Sequence, residues 1–358
     1  MKFPFVARRR LERLLREIAD LKSTVLALQQ SRTRLLGDLG VTHQARYDGP
    51  PLPVIIGIDV EFDARVVDLA DPSWRGAALF FSRMGVLRKQ ISFVSGGAPL
   101  RLSWFPRIDP QVEKANGSAT WALQHFATEW EVARREGDEI GLHMHPWRWE
   151  EAAAGWVQDF GDDAWVLDCA RSSIHGYRKV FGETPAAFRA GDRFMSDALV
   201  SVLRAEGVKI DLSLERMPGT DRLAQAERGT GAIPDTSKIT LNAYRPSTID
   251  FRIPDPEAKS GLVMLPLTAG KDGTLTPWLP NAEFEEALDL LLATGDGRQL
   301  PTHLAFVARS DLAENALWDN YVDNLLSLAR RVRKGLLVFA TPSEALDLII
   351  QPEPDAAI

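Results

Sequence analysis

The sequence predicts an α/β protein with mainly parallel strands, and two observations lead to this fold class. From residue 54 onward, short apolar runs rich in β-branched residues are followed, in several places, by stretches of helical periodicity. A strand, a helix and a second strand in succession favour parallel pairing through a right-handed crossover. Seven or eight such strands over about 300 residues fit a barrel or a doubly wound sheet.

The individual elements follow from the same patterns. Strands are predicted at the runs VIIGIDV, KQISFV, DEIGLHMH, AAFRAG, VKIDLSL, GLVMLPLT, HLAFVA and GLLVFAT. Helices are predicted over 119–136, 164–181, 196–206, 282–294 and 315–333. The segment 216–257 is rich in Pro, Gly, Asp and Ser and has no periodicity. We therefore expect a long loop there, of the kind that is usually functional or disordered.

The N-terminus forms a separate predicted element, an amphipathic helix over residues 1–40. Its apolar residues recur at alternating steps of three and four, interrupted only at Arg32: Leu11, Leu14, Ile18, Leu21, Val25, Leu28 and Leu35. The heptad spacing fits a helix lying on its own domain, and also a coiled coil that forms a homodimer through residues 11–35. Five arginines between Arg8 and Arg16 leave contact with an anionic membrane surface as a third option. Residues 41–53, which contain three prolines, predict a linker to a domain over 54–350.

Composition excludes several classes of protein. The chain has 358 residues, 45% hydrophobic and 25% charged, which is ordinary for a soluble globular protein. It has no apolar stretch long enough to span a membrane. The basic N-terminus lacks the apolar core and cleavage site of a secretory signal, which predicts a cytoplasmic protein. The single cysteine, Cys169, cannot form an internal disulfide, and a net charge of -7 argues against a nucleic-acid partner.

Candidate reactive residues stand where the predicted strands end. Because residues two apart on a strand share a face, Asp59 and Glu61 point the same way, as do His143 and His145. Asp63 extends the first set, Arg189 ends the next strand, and Asp211 lies on the strand after it. Two imidazoles and a carboxylate can hold Zn²⁺ or a similar ion and still leave positions for water. One carboxylate of the first strand would remain as a general base.

The other histidines and the tryptophans have simpler interpretations. We expect His125 to pack on its helix, His175 to be solvated, His43 to lie in the linker and His303 to lie at the opposite end of its strand. Four tryptophans near the predicted site or in proline-containing loops could stack on a sugar ring: Trp104, Trp147, Trp149 and Trp278. The sequence has no G-x-S-x-G elbow, and Cys169 is mid-helix, so covalent acyl catalysis has no candidate nucleophile.

With these residues identified, residues 54–347 resemble the polysaccharide deacetylase family, also known as NodB-homology or carbohydrate esterase family 4 proteins. IIGIDVEFD is similar to the first motif of the family in its D-x-E form, and DEIGLHMHPW is similar to the metal-binding second motif. AAFRAGDRFMSDALVSVLRAEGVKIDLSL resembles the third motif with its helix and following strand. GLVMLPLT and GLLVFATPSEAL resemble the late strands, and all five segments occur in the family order.

The resemblance implies a distorted (β/α) barrel of about seven parallel strands and metal-dependent removal of an acetyl group from an N-acetylated carbohydrate. Asp59 would be the general base, and Arg189 would hold its carboxylate in place. Glu61, His143 and His145 would be the metal ligands. The resemblance implies no other cofactor. The metal would be Zn²⁺, with Co²⁺, Ni²⁺ and Mn²⁺ compatible with the same mixed N/O site.

The chain departs from the family pattern at three places. One residue separates His143 from His145, where the family has three, and Met264 stands where relatives often have a carboxylate. The late-strand histidine that acts as general acid would fall near Ala308 and Arg309, and arginine cannot donate a proton at neutral pH. Two functions therefore stay open. In one, the chain is an enzyme with another proton donor, such as Asp211, and with Trp147 and Arg309 near the substrate. In the other, it is a non-catalytic glycan-binding protein that dimerises through its N-terminal helix.

Overall fold

The computed structural model describes residues 50–219, 229–270, 273–293 and 300–350, and two parallel sheets form the centre of this part of the chain. In the first sheet the strand order is β13-β1-β2-β3, and β14 also pairs with β1. These strands are β1 (Leu52–Val60), β2 (Ser103–Pro106), β3 (Glu139–Ile140), β13 (Leu304–Arg309) and β14 (Leu337–Phe339). The second sheet has the order β10-β8-β7-β4. Its strands are β4 (Leu142–Met144), β7 (Ala187–Ala190), β8 (Ile210–Asp211) and β10 (Val263–Met264). Every pair in both sheets is parallel, as the sequence predicts.

Strand β1 lies at the centre of the first sheet and is buried along its whole length. It pairs with β13 on one side and with β2 on the other. A strand covered on both faces needs a nearly continuous apolar run, and this is why VIIGIDV predicts it. The register places Asp59 opposite Arg309 at the carboxyl end of the sheet.

The two sheets contact each other at both edges. The predicted strand DEIGLHMH divides at Gly141 into β3 of the first sheet and β4 of the second. An isolated parallel bridge joins Arg107 to His143 at this edge. At the other edge the backbone N–H of Thr268 donates to the carbonyl of Ala305 at 2.9 Å. Apolar side chains from both sheets form the core, among them Ile55, Phe105, Ala187, Ile210, Leu212, Val263, Leu265 and Ala305.

Helices connect the strands. They are α1 (Arg75–Ser95), α2 (Pro110–Asn116), α3 (Trp121–His125), α4 (Ala127–Arg135), α5 (Asp163–Phe181), α6 (Asp197–Ala205), α7 (Asn281–Leu292), α8 (Trp318–Arg333) and α9 (Pro342–Ile350). The five predicted helices are present, although the one predicted over 119–136 is interrupted at Phe126 and gives α3 and α4. None of the helices in the described residues combines the length and the apolarity needed to cross a membrane.

One strand prediction is wrong: KQISFV lies within α1. This helix buries residues at steps of three and four, including Phe80, Met84, Leu87 and Ile91, so its apolar pattern has the helical period. The carboxylate of Asp63 accepts hydrogen bonds from backbone N–H groups of the first turn, at 3.0 and 2.9 Å. The actual second strand, β2, lies in a segment that was expected to be a loop around Trp104.

Short strands complete the described part of the chain. They are β5 (Trp147–Glu150), β6 (Gly155–Asp159), β9 (Gly229–Thr230), β11 (Ala269–Gly270) and β12 (Gly273–Thr274). Apart from β9, the described residues of the predicted loop 216–257 form turns and isolated bridges, in agreement with its lack of periodicity. The predicted N-terminal helix, including the proposed dimer segment 11–35, and linker residues 41–49 lie outside the described residues.

Candidate functional site

The side chains predicted at the strand ends surround one cavity of about 280 Å³. Asp59 is the next-to-last residue of β1, and Glu61 follows the strand directly. His143 is on β4, His145 follows it, and Arg189 is on β7. All five line the cavity. Parallel strands make this possible, because their carboxyl ends meet at one edge.

Asp59 and Arg189 form a buried ion pair at the base of the cavity. Nε of Arg189 donates to both carboxylate oxygens of Asp59, at 3.1 and 3.0 Å. Nη1 of the same guanidinium donates to the carbonyl of Leu212 at 2.8 Å, and Nη2 lies 3.8 Å from Glu215. Three separate partners therefore fix the Arg189 plane, and this plane fixes the orientation of the Asp59 carboxylate.

Glu61, His143 and His145 form a cluster that could hold a metal ion. Their candidate ligand atoms all lie within 4.8 Å of one another. Oε2 of Glu61 lies 3.8 Å from Nε2 of His143 and 3.6 Å from Nε2 of His145. All three residues are buried. The set offers two nitrogen donors and one carboxylate on one side of a small space, as in sites that keep positions open for water.

The hydrogen bonds of the two imidazoles also fit a metal site. Nδ1 of His143 lies 3.0 Å from the carbonyl oxygen of Arg189, and Nδ1 of His145 lies 3.2 Å from a carboxylate oxygen of Asp192. Since these oxygens can only accept, each Nδ1 carries a proton, and each Nε2 presents a lone pair when its ring is neutral. Nε2 of His143 is buried without a hydrogen-bond partner. An orphaned acceptor facing a carboxylate and a second imidazole is what a cation would satisfy.

Two guanidinium groups neutralise Glu61. Nη1 of Arg107 lies 3.2 Å from Oε2, and Nη1 of Arg309 lies 3.3 Å from Oε1. Burial raises the pKa of Glu61, but the Arg309 charge and both imidazoles outweigh it and hold the pKa well below the usual value. Glu61 is therefore a carboxylate anion, the form in which a carboxyl group binds a metal ion.

The two imidazoles have opposite pKa shifts. Burial, only partly opposed by the Asp59 carboxylate, lowers the pKa of His143. For His145, burial and the Arg107 charge lower the pKa, but hydrogen bonds to Asp192 and Glu61 outweigh them and raise it. His143 is thus neutral at pH 7, as a nitrogen ligand must be.

Comparisons with known proteins address the fold of this site. No protein-family model matches the sequence, and no curated protein matches it. Among solved structures, Puue allantoinase is similar, with a TM-score of 0.50 and 13% sequence identity, over 86% of this chain and 92% of that chain. The chain has the fold of this allantoinase.

Other solved structures are similar at lower scores. One is a probable polysaccharide deacetylase from Pseudomonas aeruginosa PAO1, with a TM-score of 0.49 and 14% identity, over 84% of this chain and 94% of that chain. Another is a carbohydrate esterase family 4 pseudoenzyme from Bacillus anthracis, with a TM-score of 0.41 and 7% identity, over 83% of this chain and 66% of that chain. The family that the sequence resembles is thus among the structures to which this chain is similar. At these identities the likeness concerns the fold alone.

The remaining predicted site residues occupy different places on the allantoinase fold. Arg309 lines the cavity, whereas Trp147 is fully buried and does not line it. Asp211 is also outside the cavity, where it accepts hydrogen bonds from the backbone N–H and hydroxyl of Ser213. Burial raises its pKa to about 7. Asp63 does not line the cavity, and its carboxylate caps α1.

Of the four tryptophans considered for stacking, Trp278 lines the cavity. Trp104 is buried against Phe81 and donates from Nε1 to Asp138, and Trp149 packs against Trp156. Of the histidines outside the site, the three that the structure describes are placed as predicted, whereas His43 lies outside the described residues. His125 stacks on Trp121, His175 is exposed, and His303 is buried at the start of β13.

Sequence reasoning missed four contributors to the site. Arg107 follows β2, and its signal was lost because β2 was not predicted. Gln158 and Asp192 contact His145, and Arg65 contacts both of them. Asp192 had one usable signal: it comes two residues after the end of β7, where cavity residues are expected in parallel α/β folds. Gln158 and Arg65 come from a hairpin and a loop whose positions no local pattern indicates.

Proposed function

We propose that this protein is a metal-dependent hydrolase that cleaves a C–N bond, removing the acetyl group of an N-acetylated carbohydrate. The observation that carries the proposal is the orientation of the two imidazoles. Both Nε2 atoms face the buried carboxylate of Glu61, and the ion pair of Asp59 and Arg189 lies beside them. A ligand set next to an oriented carboxylate supplies the two parts of water activation.

In this proposal Glu61, His143 and His145 hold a divalent metal ion, Zn²⁺ in the first instance. Co²⁺, Ni²⁺ and Mn²⁺ suit the same donors. When bound, such an ion lowers the pKa of water and polarises an amide carbonyl.

Asp59 accepts the proton of the attacking water. Arg189 makes this effective because it holds the carboxylate at a fixed orientation and cannot itself take up a proton. Among the residues lining the cavity, none occupies the place of the late-strand acid of the family, since Ala308 and Arg309 stand there. The proton on Asp59 is then the one available for the leaving nitrogen, so that a single carboxyl serves as base and acid.

The cavity has room for a substrate group no larger than about one sugar ring. Its volume is about 280 Å³, at the lower limit of ligand pockets. Its lining includes the apolar side chains of Trp278, Leu275 and Leu267. An indole beside polar groups suits stacking on the apolar face of a sugar.

Acetate release tests the proposal. Purified protein is assayed for bound metal and then for acetate released from N-acetylated mono- and oligosaccharides, with and without chelator. Because the fold is that of an allantoinase, a cyclic ureide belongs in the same panel. We expect hydrolysis that is lost with chelator and restored by Zn²⁺, and that falls by at least about 10²-fold in Asp59→Asn. Activity unaffected by Asp59→Asn would remove the proposed base.

The second candidate function is non-catalytic binding of a glycan. The observation that favours it is the pairing of Glu61 with both Arg107 and Arg309, which neutralises the carboxylate without a metal ion. A protein that binds N-acetylated sugars in calorimetry, holds no metal and hydrolyses nothing would support this function instead.

A further inference from the structure

The segment after β7 has an unusual backbone at the cavity wall. Residues Gly191–Arg193 form a single short turn. Asp192 and Arg193 have φ angles of 54° and 55°, in the left-handed region that residues with a side chain rarely adopt. Two such residues in succession cost free energy, and strain of this kind persists where the surroundings hold it in place.

Contacts with His145 explain why the turn must pass so close to the cavity. A Cβ on Gly191 would lie only 2.0 Å from the imidazole ring of His145, so this position needs glycine. The next residue, Asp192, then brings a carboxylate oxygen within 3.2 Å of Nδ1 of the same ring. The turn therefore packs one residue against the face of the imidazole and directs the next at its nitrogen.

Two further side chains fix the Asp192 carboxylate. Arg65 forms an ion pair with one of its oxygens, and Nε2 of Gln158 donates to the other. Nη2 of Arg65 also donates to Oε1 of Gln158 at 2.9 Å, which orients the amide so that its nitrogen faces Asp192. The carboxylate is thus held from two sides independently of His145.

The arrangement selects one tautomer of His145. Nε2 of Gln158 lies 3.1 Å from Nδ1 of His145 and could donate to an unprotonated Nδ1. That choice would put the ring proton on Nε2, and the Nδ1 lone pair would then face a carboxylate oxygen. Asp192 and Glu61 are both carboxylates that can only accept, but Asp192 is within hydrogen-bond distance of Nδ1, at 3.2 Å, whereas Glu61 lies 3.6 Å from Nε2. The closer carboxylate favours the proton on Nδ1 and leaves the Nε2 lone pair directed at Glu61.

We propose that Asp192 is a positioning residue that holds His145 as the Nδ1–H tautomer and turns its Nε2 lone pair toward Glu61. The inference rests on the proposed function insofar as Nε2 is a metal ligand, and it adds a residue that determines metal affinity from outside the ligand set. When a ligating histidine loses a partner of this kind, its metal affinity typically falls 10- to 100-fold.

Two glycine variants test it. Asp192→Gly removes the carboxylate and relieves the left-handed backbone. Arg193→Gly relieves the same strain at the next residue but removes only a half-buried side chain, whose Nη1 donates to the carbonyl of Pro218. Ring ¹⁵N spectra of metal-free protein, recorded where the imidazole is neutral and assigned with His145→Asn, report the tautomer. Co²⁺ titration followed by optical absorption reports the affinity for the metal. We expect this affinity to be about 10- to 100-fold weaker in Asp192→Gly and unchanged in Arg193→Gly.

The two readouts separate this inference from the proposed function. The positioning role is supported if the Nδ1–H tautomer is lost in Asp192→Gly but kept in Arg193→Gly. This holds even if the wild type binds no Co²⁺, a result that would refute only the proposed metal site. An unchanged tautomer in Asp192→Gly overturns the inference, as does an equal effect of both variants. If Asp192→Gly does not fold, Asp192→Asn removes the charge at nearly constant shape, and we expect a smaller change of the same sign.

Discussion

Removing Arg189 should destabilise the protein strongly, because it leaves a charged carboxylate in the interior without its partner. Asp59 is 4% exposed and Arg189 is 7% exposed, and Nε of Arg189 lies 3.0–3.1 Å from both oxygens. Breaking a buried pair by removing one member typically costs about 3–5 kcal/mol of unfolding free energy. Arg189→Met also deprives the carbonyl of Leu212 of its 2.8 Å hydrogen bond. We expect Arg189→Met to reach this range.

Removing the charge of Asp59 instead of Arg189 should lower the free energy of unfolding by less. In Asp59→Asn, the guanidinium keeps the Leu212 carbonyl and the Glu215 carboxylate as partners. The double variant removes both charges, so its cost should be smaller than the sum of the two single costs. Because the two side chains are in direct contact, we expect an interaction free energy of about 1–3 kcal/mol.

Urea unfolding of all four proteins, followed by circular dichroism, measures this cycle. The slopes should agree, so that midpoint differences report stability alone. Arg189→Lys serves as a matched control, since it retains the charge but not the forked donor, and should fall between wild type and Arg189→Met. Additive costs within about 0.5 kcal/mol would show that the pair is not coupled and would refute its role in holding the general base.

Three further predictions concern other parts of the structure. Burial lowers the pKa of His303 from 6.5 to about 4, so the folded state resists protonation. The contribution of His303 to the free energy of unfolding should therefore be complete above pH 6.5 and fall by up to about 3 kcal/mol as the pH drops toward 4. Urea unfolding at a series of pH values measures this fall, which should be smaller in His303→Gln. Gly141→Ala places a Cβ 2.6 Å from the Phe105 ring and 2.8 Å from the Ala187 carbonyl, and should lower the thermal midpoint by several degrees; an unchanged midpoint would contradict the packing. Trp278→Ala should raise KM with little change in kcat, because the indole lines the cavity but offers no metal ligand and no proton-transfer group; a pure kcat effect would exclude stacking.

Sequence patterns predicted β1 correctly and failed at the two elements that follow it. A strand buried on both faces is uniformly apolar, so its signal is local. In α1, a short window of β-branched and aromatic residues looks like a strand, although the burial of Phe80, Leu87 and Ile91 follows the helical period over a longer window. Strand β2 has four residues and ends in Pro106, and it is defined by pairing with β1, which no local pattern contains.

The same contrast holds for the candidate site. Their positions at the ends of predicted strands were enough to predict that Asp59, Glu61 and the two histidines lie at one edge, because the carboxyl ends of parallel strands coincide. The groups that orient them depend on long-range contacts. Arg107 reaches Glu61 across 46 residues, and Asp192 reaches His145 across 47. Such pairings follow from which strands lie side by side, β1 with β2 and β4 with β7, and no local sequence pattern contains that order.

Whether Glu61 and the two histidines bind a metal ion can be measured in a metal-edge anomalous difference map from crystals soaked in Zn²⁺. We expect one strong peak, about 2.0–2.2 Å from Nε2 of His143, Nε2 of His145 and an oxygen of Glu61. A map without density between these atoms at saturating Zn²⁺, with Glu61 still paired to Arg107 and Arg309, would contradict it.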